Sequence, residues 1–304
     1  MKVLVVCSGN ATNLSFVEEQ IDAISKYNVV FDYFLIQGNG IKGYVKSRKY
    51  LLAKIKQFQP DLIHAHYGLS GLLANLQRKV KVITTYHGSD IHQHKNLKFS
   101  KLSILLSAQN IFVSEKIKKI ANAKTGIVIP CGIDLSVFYV RDRKTCREKF
   151  NFIDDKKYIL FSSSFDNTIK NYPFAKSIVD SLDSNFVLLE LKGYSRVEVS
   201  QLLNAVDLAL LTSFDEGSPQ FVKEAVACGC PIVSINVGDV KKQLNNIPNA
   251  LVINEYDQNE FIKAIYNIIS KRSESALTVE NSIWDNNFIA KKILAEYKRI
   301  LRTD

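Results

Sequence analysis

The sequence predicts an α/β protein made of two doubly wound domains, each a parallel sheet covered by helices. Two observations carry that expectation. Short β-rich runs alternate with helix-length amphipathic stretches along the chain, and the alternation lapses once, at a basic stretch, before it restarts. In order, KVLVVC precedes the helical stretch Leu14–Tyr27, VVFDYFLI precedes Tyr44–Phe58, DLIHAH precedes Gly71–Arg78, and VKVITTY follows. The lapse is YVRDRKTCREKF (Tyr139–Phe150), which lacks apolar periodicity and reads as the junction. Beyond it come the strand YILFSSS, the helix Pro173–Leu182 and the strands FVLLEL and DLALLT. The domains are therefore expected at 1–140 and 141–285. A last helix, Asp285–Leu301, carries Phe288, Ile289, Ile293, Leu294, Tyr297, Ile300 and Leu301 at helical spacing, so one of its faces must pack.

Composition supports this reading and removes others. With 304 residues, 46% hydrophobic and 23% charged, the chain is long enough for two cores, and disorder is excluded. The first apolar run, Val3 to Cys7, is too short for a signal-peptide core and ends in a polar stretch, so it reads as a strand. No run approaches the roughly 18 apolar residues of a membrane span. Five cysteines (Cys7, Cys131, Cys146, Cys228, Cys230) are odd in number and unpatterned, which suits a reducing cytoplasm. The net charge of +10 is uneven: residues 1–150 hold 23 Lys+Arg against 10 Asp+Glu, and residues 151–304 hold 17 against 20, giving +13 and −3. Such asymmetry suits an anionic surface or a lipid-phosphate substrate better than nucleic acid, though charge alone fits a solvated basic face equally well. The basic side of Tyr44–Phe58, with Lys42, Lys46, Arg48, Lys49, Lys54 and Lys56, is where headgroups would be met, on the inner face of the plasma membrane.

In open α/β sheets ligands bind beyond the carboxyl ends of the strands, which directs attention to the loop in SFDEGSPQFVKEAVACGCPIV. Pro219 stands where a helix can begin, Gly229 stops that helix, and Pro231 opens the next strand. The amides of Ser218, Gln220 and Phe221 then form an anion site at the positive helix end. Glu216 and Glu224 flank those amides, the helical part between them spanning roughly 8 Å. That layout suits a ligand with hydroxyls at both ends and a diphosphate between, because a carboxylate accepts from both members of a diol. On spacing alone, two solvated glutamates are the commoner outcome.

The segment resembles the signature of retaining family 4 glycosyltransferases of the GT-B fold, Glu-Gly-x-Pro-x4-Glu-Ala-x-Ala-Cys-Gly-x-Pro, at every fixed position. DLIHAH with TYHGSD resembles the family's His-bearing loops. VIPCGIDLSVF resembles its interdomain stretch, VGDVKKQL its Val-Gly-Gly turn, and SIWDNNFIAKKILAEYKRIL its terminal helix. The resemblance implies two Rossmann-like domains facing a central cleft, with residues 286–304 crossing back to the N-terminal acceptor domain, and a nucleotide-sugar-binding second domain. It assigns Lys170 to the departing diphosphate, Glu216 to the transferred sugar, and His87 to that sugar or the acceptor. Glu224 is assigned to the ribose diol. Donor binding is further implied for Gly217, Ser218, Gln220, Phe221, Gly9, Ser164, Asn167 and Arg196, and a place on the acceptor or cleft side for His64, His66, Asn10 and Asp90. One departure stands out. The family's Arg after the first strand of the second domain is replaced by Ser162, Ser163 and Ser164, leaving Lys170, hydroxyls and Arg196 to meet the diphosphate charge.

Rival chemistries find less support. GNGIKG (Gly38–Gly43) satisfies G-x-G-x-x-G but follows the second strand, and Asp61 precedes the next strand instead of ending it, so these glycines read as a loop and NAD is not expected. His64, His66, His87, His92 and His94 lack a clustered Cys or carboxylate, and no Asp-x-Asp is present, so no cofactor and no metal are expected. Cys228 and Cys230 bracket a helix stop, and no His follows Ser162–Ser164 for serine-hydrolase chemistry. Two alternatives stay open: a GT-B partner subunit that binds without turnover, and a GT-B sugar epimerase.

Overall fold

A computed structural model describes residues 1–9, 15–38, 40–92, 94–271 and 281–302, and its contacts divide the chain into Met1–Gly132 with Ile283–Asp304, and Ile133–Ser282. The first unit runs β1 (Lys2–Ser8), α1 (Ser15–Ser25), β2 (Val30–Ile36), α2 (Gly40–Phe58), β3 (Leu62–His66), α3 (Gly68–Asn75), β4 (Val82–Tyr86), α4 (Ser89–His92), α5 (His94–Leu106), β5 (Gln109–Phe112), α6 (Glu115–Ile120) and β6 (Ile127–Val128). Its strands form a parallel sheet in the order β2-β1-β3-β4-β5-β6. Both faces are covered, which is why β1 is an unbroken apolar run. Leu4, Val6, Ile63 and Ala65 pack under Leu51 and Ile55 of α2 and Leu73 of α3.

The second unit runs α7 (Arg143–Lys149), β7 (Lys157–Phe161), α8 (Tyr172–Asp180), β8 (Phe186–Leu189), α9 (Arg196–Ala205), β9 (Leu208–Leu211), α10 (Gln220–Ala227), β10 (Ile232–Ile235), α11 (Val240–Gln243), β11 (Ala250–Ile253) and α12 (Gln258–Ser270). Its sheet is parallel, in the order β11-β10-β9-β7-β8. The final helix, α13 (Asn286–Arg302), belongs to the first unit: Ile289, Ile293, Tyr297 and Ile300 pack on Val3, Leu62, Ile83 and Ile111 of its sheet. The α/β class with two parallel sheets therefore matches the sequence expectation.

Two local expectations need correction. The stretch Tyr139–Phe150 is not a junction, because the division falls at Gly132/Ile133 and the basic run is anchored in the second unit. Asp142 caps α7 through the Thr145 amide at 2.8 Å, and the Arg141 amide donates to Asn204 Oδ1 at 2.7 Å. Arg143 and Arg147 reach buried Asp207 at 2.9 and 3.4 Å. The run lacks apolar periodicity because charges, and not methyl groups, tie it down. The glycines of 38–43 are likewise not all loop. Helix α2 begins at Gly40, and a Cβ on Gly43 would come within 2.7 Å of the Gly38 carbonyl carbon, so the turn closes only without one.

Candidate functional site

In the second unit the predicted residues gather after β9 and at the start of α10. Pro219 is extended (φ −65°, ψ 123°) and caps the helix without joining it, so α10 begins at Gln220, one residue later than the sequence suggests. Glu216, in the loop before it, accepts from Lys170 Nζ at 2.6 Å and from Ser213 Oγ at 2.7 Å through the same oxygen, Oε1. Its backbone is backed by Gly238, in the left-handed region (φ +60°), where a Cβ would lie 2.9 Å from the Glu216 carbonyl oxygen. Lys170 ends a short 3-10 turn, Thr168–Lys170, which the Asn167 side chain caps at the Ile169 amide. Thr212 Oγ1 donates to the Lys170 carbonyl at 3.0 Å, so the lysine's backbone is fixed independently of its ammonium group.

Glu224 stands inside α10, 3% exposed, with Oε1 2.8 Å from Arg196 Nη2. The contact has ion-pair distance but not hydrogen-bond angle, so Oε1 is a buried acceptor without a hydrogen bond. Arg196 opens α9, whose start is held by a reciprocal Ser195–Glu198 capping box, and its guanidinium lies 4.6 Å from the centre of the Phe138 ring. Ser218 Oγ accepts from Gln243 Nε2 at 3.0 Å, and the same amide nitrogen donates to Asp239 at 2.7 Å. Fully buried Lys223 donates to Gln220 Oε1 at 3.1 Å. Burial raises the Asp239 pKa, against the opposing charge of Lys223. Phe221 is buried, and Gly217 lies in the half-buried loop.

The serines that replace the expected Arg do not present a row of hydroxyls. Ser162 Oγ is buried without a hydrogen bond, Ser163 accepts from Asn167 Nδ2 at 3.2 Å, and Ser164 donates to Asp166 at 2.5 Å. Ser164 and Asn167, predicted donor contacts, are thus committed to shaping their own loop. That loop is tied to β8's far end, where Glu190 Oε1 accepts from the Phe165 amide at 2.7 Å.

In the first unit, β3 and β4 end side by side and bring His64, His66 and His87 into a row, with ring centroids 4.4 Å apart for the first pair and 5.3 Å for the second. His64 is a core residue and not a cleft residue. It is fully buried, and its ring nitrogens bond Tyr297 Oη at 2.6 Å and Thr85 Oγ1 at 2.7 Å. His66 Nδ1 lies 3.0 Å from His87 Nε2, and His87 Nδ1 lies 3.6 Å from Cys131 Sγ. His66 Nε2 is buried without a hydrogen bond. Burial lowers the pKa of all three rings, His66 to about 3, so the row is neutral at ordinary pH and each contact is a single-proton hydrogen bond. The Tyr67 ring lies 4.7 Å from that of His87, tilted by 44°, and its residue has a backbone rare outside glycine (φ 71°, ψ 150°), held by its amide on the Thr85 carbonyl at 2.9 Å.

Two more predictions change here. Asp90 is turned to its own loops: its oxygens accept from the amides of Gly68, Gly88 and His87 at 2.9, 2.9 and 3.2 Å, so it shapes the His87 loop. Gly9 does not offer its amide to a diphosphate, because that amide donates to the Ile36 carbonyl at 2.8 Å. Asn10 lies outside the described residues. Among the described residues, no three His, Cys, Asp or Glu side chains are grouped to hold a metal ion. Sequence reasoning passed over Ser213, Gly238, Phe138 and Cys131 as partners of the named residues; the VGDVKKQL and VIPCGIDLSVF motifs carried the signal for three of them.

The family model described as Glycosyltransferase Family 4 matches residues 1–137, and that described as Glycosyl transferases group 1 matches 175–271. The chain belongs to the family 4 glycosyltransferases. A Bacillus subtilis relative, TuaC, named for teichuronic acid biosynthesis, is 24% identical over 229 residues, covering 66% of this chain and 59% of its own. The Erwinia amylovora amylovoran biosynthesis glycosyltransferase AmsK is 25% identical over 234 residues, covering 62% and 58%. The chain spans about three fifths of the length of the curated relatives it matches. Sucrose-phosphate synthase from Thermosynechococcus elongatus shares the fold at TM-score 0.81 with 15% identity, over 100% of this chain and 99% of that one. Anabaena HepE in complex with UDP does so at 0.79 with 14% identity, over 98% and 100%.

Proposed function

We propose that this family 4 chain moves a sugar from a UDP- or GDP-sugar to an acceptor hydroxyl, with retention at the anomeric carbon and without a metal ion or other cofactor, in making a surface polysaccharide or lipid-linked glycan. The observation that carries the reading is the pairing of two carboxylates with two cations, Lys170 with Glu216 and Arg196 with Glu224, around the start of α10. In this reading Glu224 grips the ribose diol, Glu216 faces the sugar, and the amides at Ser218, Gln220 and Phe221 meet the diphosphate. Lys170 offsets charge growing on the leaving group, the kind of fixed electrostatic help that lowers a transfer barrier most. His87, neutral and oriented by His66 and Cys131, contacts the sugar or the acceptor. The names of TuaC and AmsK support a polysaccharide product, and the solved complex of HepE with UDP-glucose supports a UDP donor.

The test is a thermal-shift panel of UDP, GDP and their common sugars, followed by transfer assays with the best donor and EDTA present. One nucleotide raises the unfolding midpoint in proportion to the logarithm of its concentration. Its sugar form yields free nucleotide and a retained linkage when an acceptor is added. A panel in which no nucleotide shifts the midpoint overturns the reading, and an isomerised nucleotide sugar replaces it with epimerisation.

The acceptor half of the reading places the chain in the cytoplasm, peripheral on the inner face of the plasma membrane. Residues 33–114 hold 12 Lys+Arg and, as acids, only Asp61 and Asp90. Exposed Val45 and Tyr50 on α2, and Leu102 and Leu105 on α5, stand among exposed Lys46, Lys49, Lys98 and Lys101. Among the described residues no helix is long and apolar enough to cross a membrane, and the attachment proposed is by surface contact. The protein floats with vesicles containing phosphatidylglycerol and not with pure phosphatidylcholine, and binding weakens as salt rises. Equal recovery with both vesicle types removes this element.

A further inference from the structure

We propose that Arg196 makes the donor site selective for a nucleoside diphosphate over the bare nucleoside, by holding Glu224 until a phosphate-bearing ligand draws the guanidinium away. The inference rests on the reading of Glu224 as the ribose-binding carboxylate.

Glu224, in α10, and Arg196, at the start of α9, face each other. Glu224 is 3% exposed, and the guanidinium 2.8 Å from Oε1 is the charge that balances it. Buried carboxylates keep a counter-charge or gain hydrogen-bond donors, because an unbalanced one is strongly disfavoured. Yet the Arg196 contact lacks hydrogen-bond angle, so the pair is held by charge and leaves the lone pairs of Oε1 open to a better-directed donor. Arg196 also stands where a helix does not favour a cation. It is the first residue of α9, at the positive end of the peptide dipoles. The acid in that first turn, Glu198, is bound to Ser195 in the capping box, its Oε2 accepting from both the amide and the hydroxyl. Glu224 and the face of Phe138, 4.6 Å away, are among the groups that stabilise the guanidinium at that place.

A ribose diol brings two O–H donors, which satisfy Glu224 but separate Arg196 from that carboxylate. A nucleoside therefore binds against the loss of an ion pair. A nucleoside diphosphate supplies both halves of the exchange: the diol takes Glu224, and phosphate oxygens take the guanidinium, whose planar fork suits them. The exchange also accounts for the absent Arg at Ser162–Ser164. Lys170 is engaged by Glu216 at 2.6 Å, and Arg196 supplies the second cation from the start of α9.

Calorimetric titrations of uridine, UDP, guanosine and GDP against the wild-type chain, Arg196→Gln and Arg196→Lys test this. For the base that binds, Arg196→Gln tightens the nucleoside roughly three- to ten-fold and weakens the diphosphate roughly ten-fold, as expected when one charge-assisted contact is removed from each side of an exchange. The preference for diphosphate over nucleoside thus falls by nearly two orders of magnitude, on the same scale. Arg196→Lys keeps the charge on Glu224 and leaves nucleoside affinity at the wild-type level, which separates this role from a merely structural one. Equal weakening of both ligands in Arg196→Gln, no change in either, or tighter nucleoside binding in Arg196→Lys overturns the inference while leaving the proposed function standing. A wild-type chain that binds neither UDP nor GDP overturns both.

Discussion

Lys170→Ala lowers sugar transfer by about a thousand-fold, with the loss in kcat and little change in KM, while the folded state stays intact. The expectation follows from where the charge is needed. In the proposed reaction the glycosyl–phosphate bond loosens before the acceptor hydroxyl closes, so negative charge on the leaving diphosphate is greatest at the transition state. An ammonium group fixed beside it then stabilises that state more than the bound donor. Removing one such preorganised donor costs about 3–4 kcal/mol of barrier in comparable sites. The fold does not need the ammonium group. The loop is held through backbone contacts from Asn167 and Thr212, and Glu216 keeps its bond from Ser213 at 2.7 Å when Lys170 is truncated. The Lys170–Glu216 pair itself, with side chains 21% and 11% exposed, contributes about 1 kcal/mol at most after screening. Single-turnover rates with saturating donor are the decisive measurement. A rate within ten-fold of wild type, with circular dichroism unchanged, removes Lys170 from the chemistry.

Much of the architecture could be read before any coordinates, because parallel strands covered on both faces leave a signature that does not depend on tertiary detail. Val3–Cys7 and Ile232–Ile235 are apolar at every or nearly every position, and α13 shows its buried stripe in spacing alone. The Glu216–Glu224 segment was legible for a different reason: a loop, a helix start and a glycine stop are local, and their order is written in consecutive residues. What escaped was decided by partners far along the chain. His64 and His66 are two residues apart on one strand, yet Tyr297, 233 positions from His64, makes His64 a core residue and leaves His66 to face His87. Nothing in the HAH tripeptide separates them. Gly9 has the composition of a phosphate-approach glycine, and only the position of the Ile36 carbonyl shows that its amide is used. Tyr139–Phe150 reads as a linker by hydropathy because its anchors are Asp207 and Asn204, some sixty residues away. Arg196 could be named as a cation from its place in a strand-end loop, but its pairing with Glu224 needed the fold.

Glu224→Gln separates the two halves of the donor site. The substitution preserves shape and helix propensity, so α10 forms as before, but it replaces a charged double acceptor with a group that can accept at one atom only. Nucleoside and nucleoside diphosphate both lose roughly a hundred-fold in affinity, since two charge-assisted bonds to the diol become at best one neutral bond. Transfer at subsaturating donor falls by a similar factor. The stability cost is small. Arg196 is 30% exposed, so water reaches it when Glu224 loses charge, whereas removing the arginine takes the 2.8 Å counter-charge from a carboxylate that is 4% exposed. That asymmetry gives the site a directional fingerprint. Glu224→Gln weakens the nucleoside, Arg196→Gln strengthens it, and the double variant follows Glu224→Gln, because a residue that acts by withholding Glu224 has nothing left to withhold. Additive changes in the double variant would mean that the two side chains contact the ligand independently, and that the 2.8 Å pair has no part in selecting it.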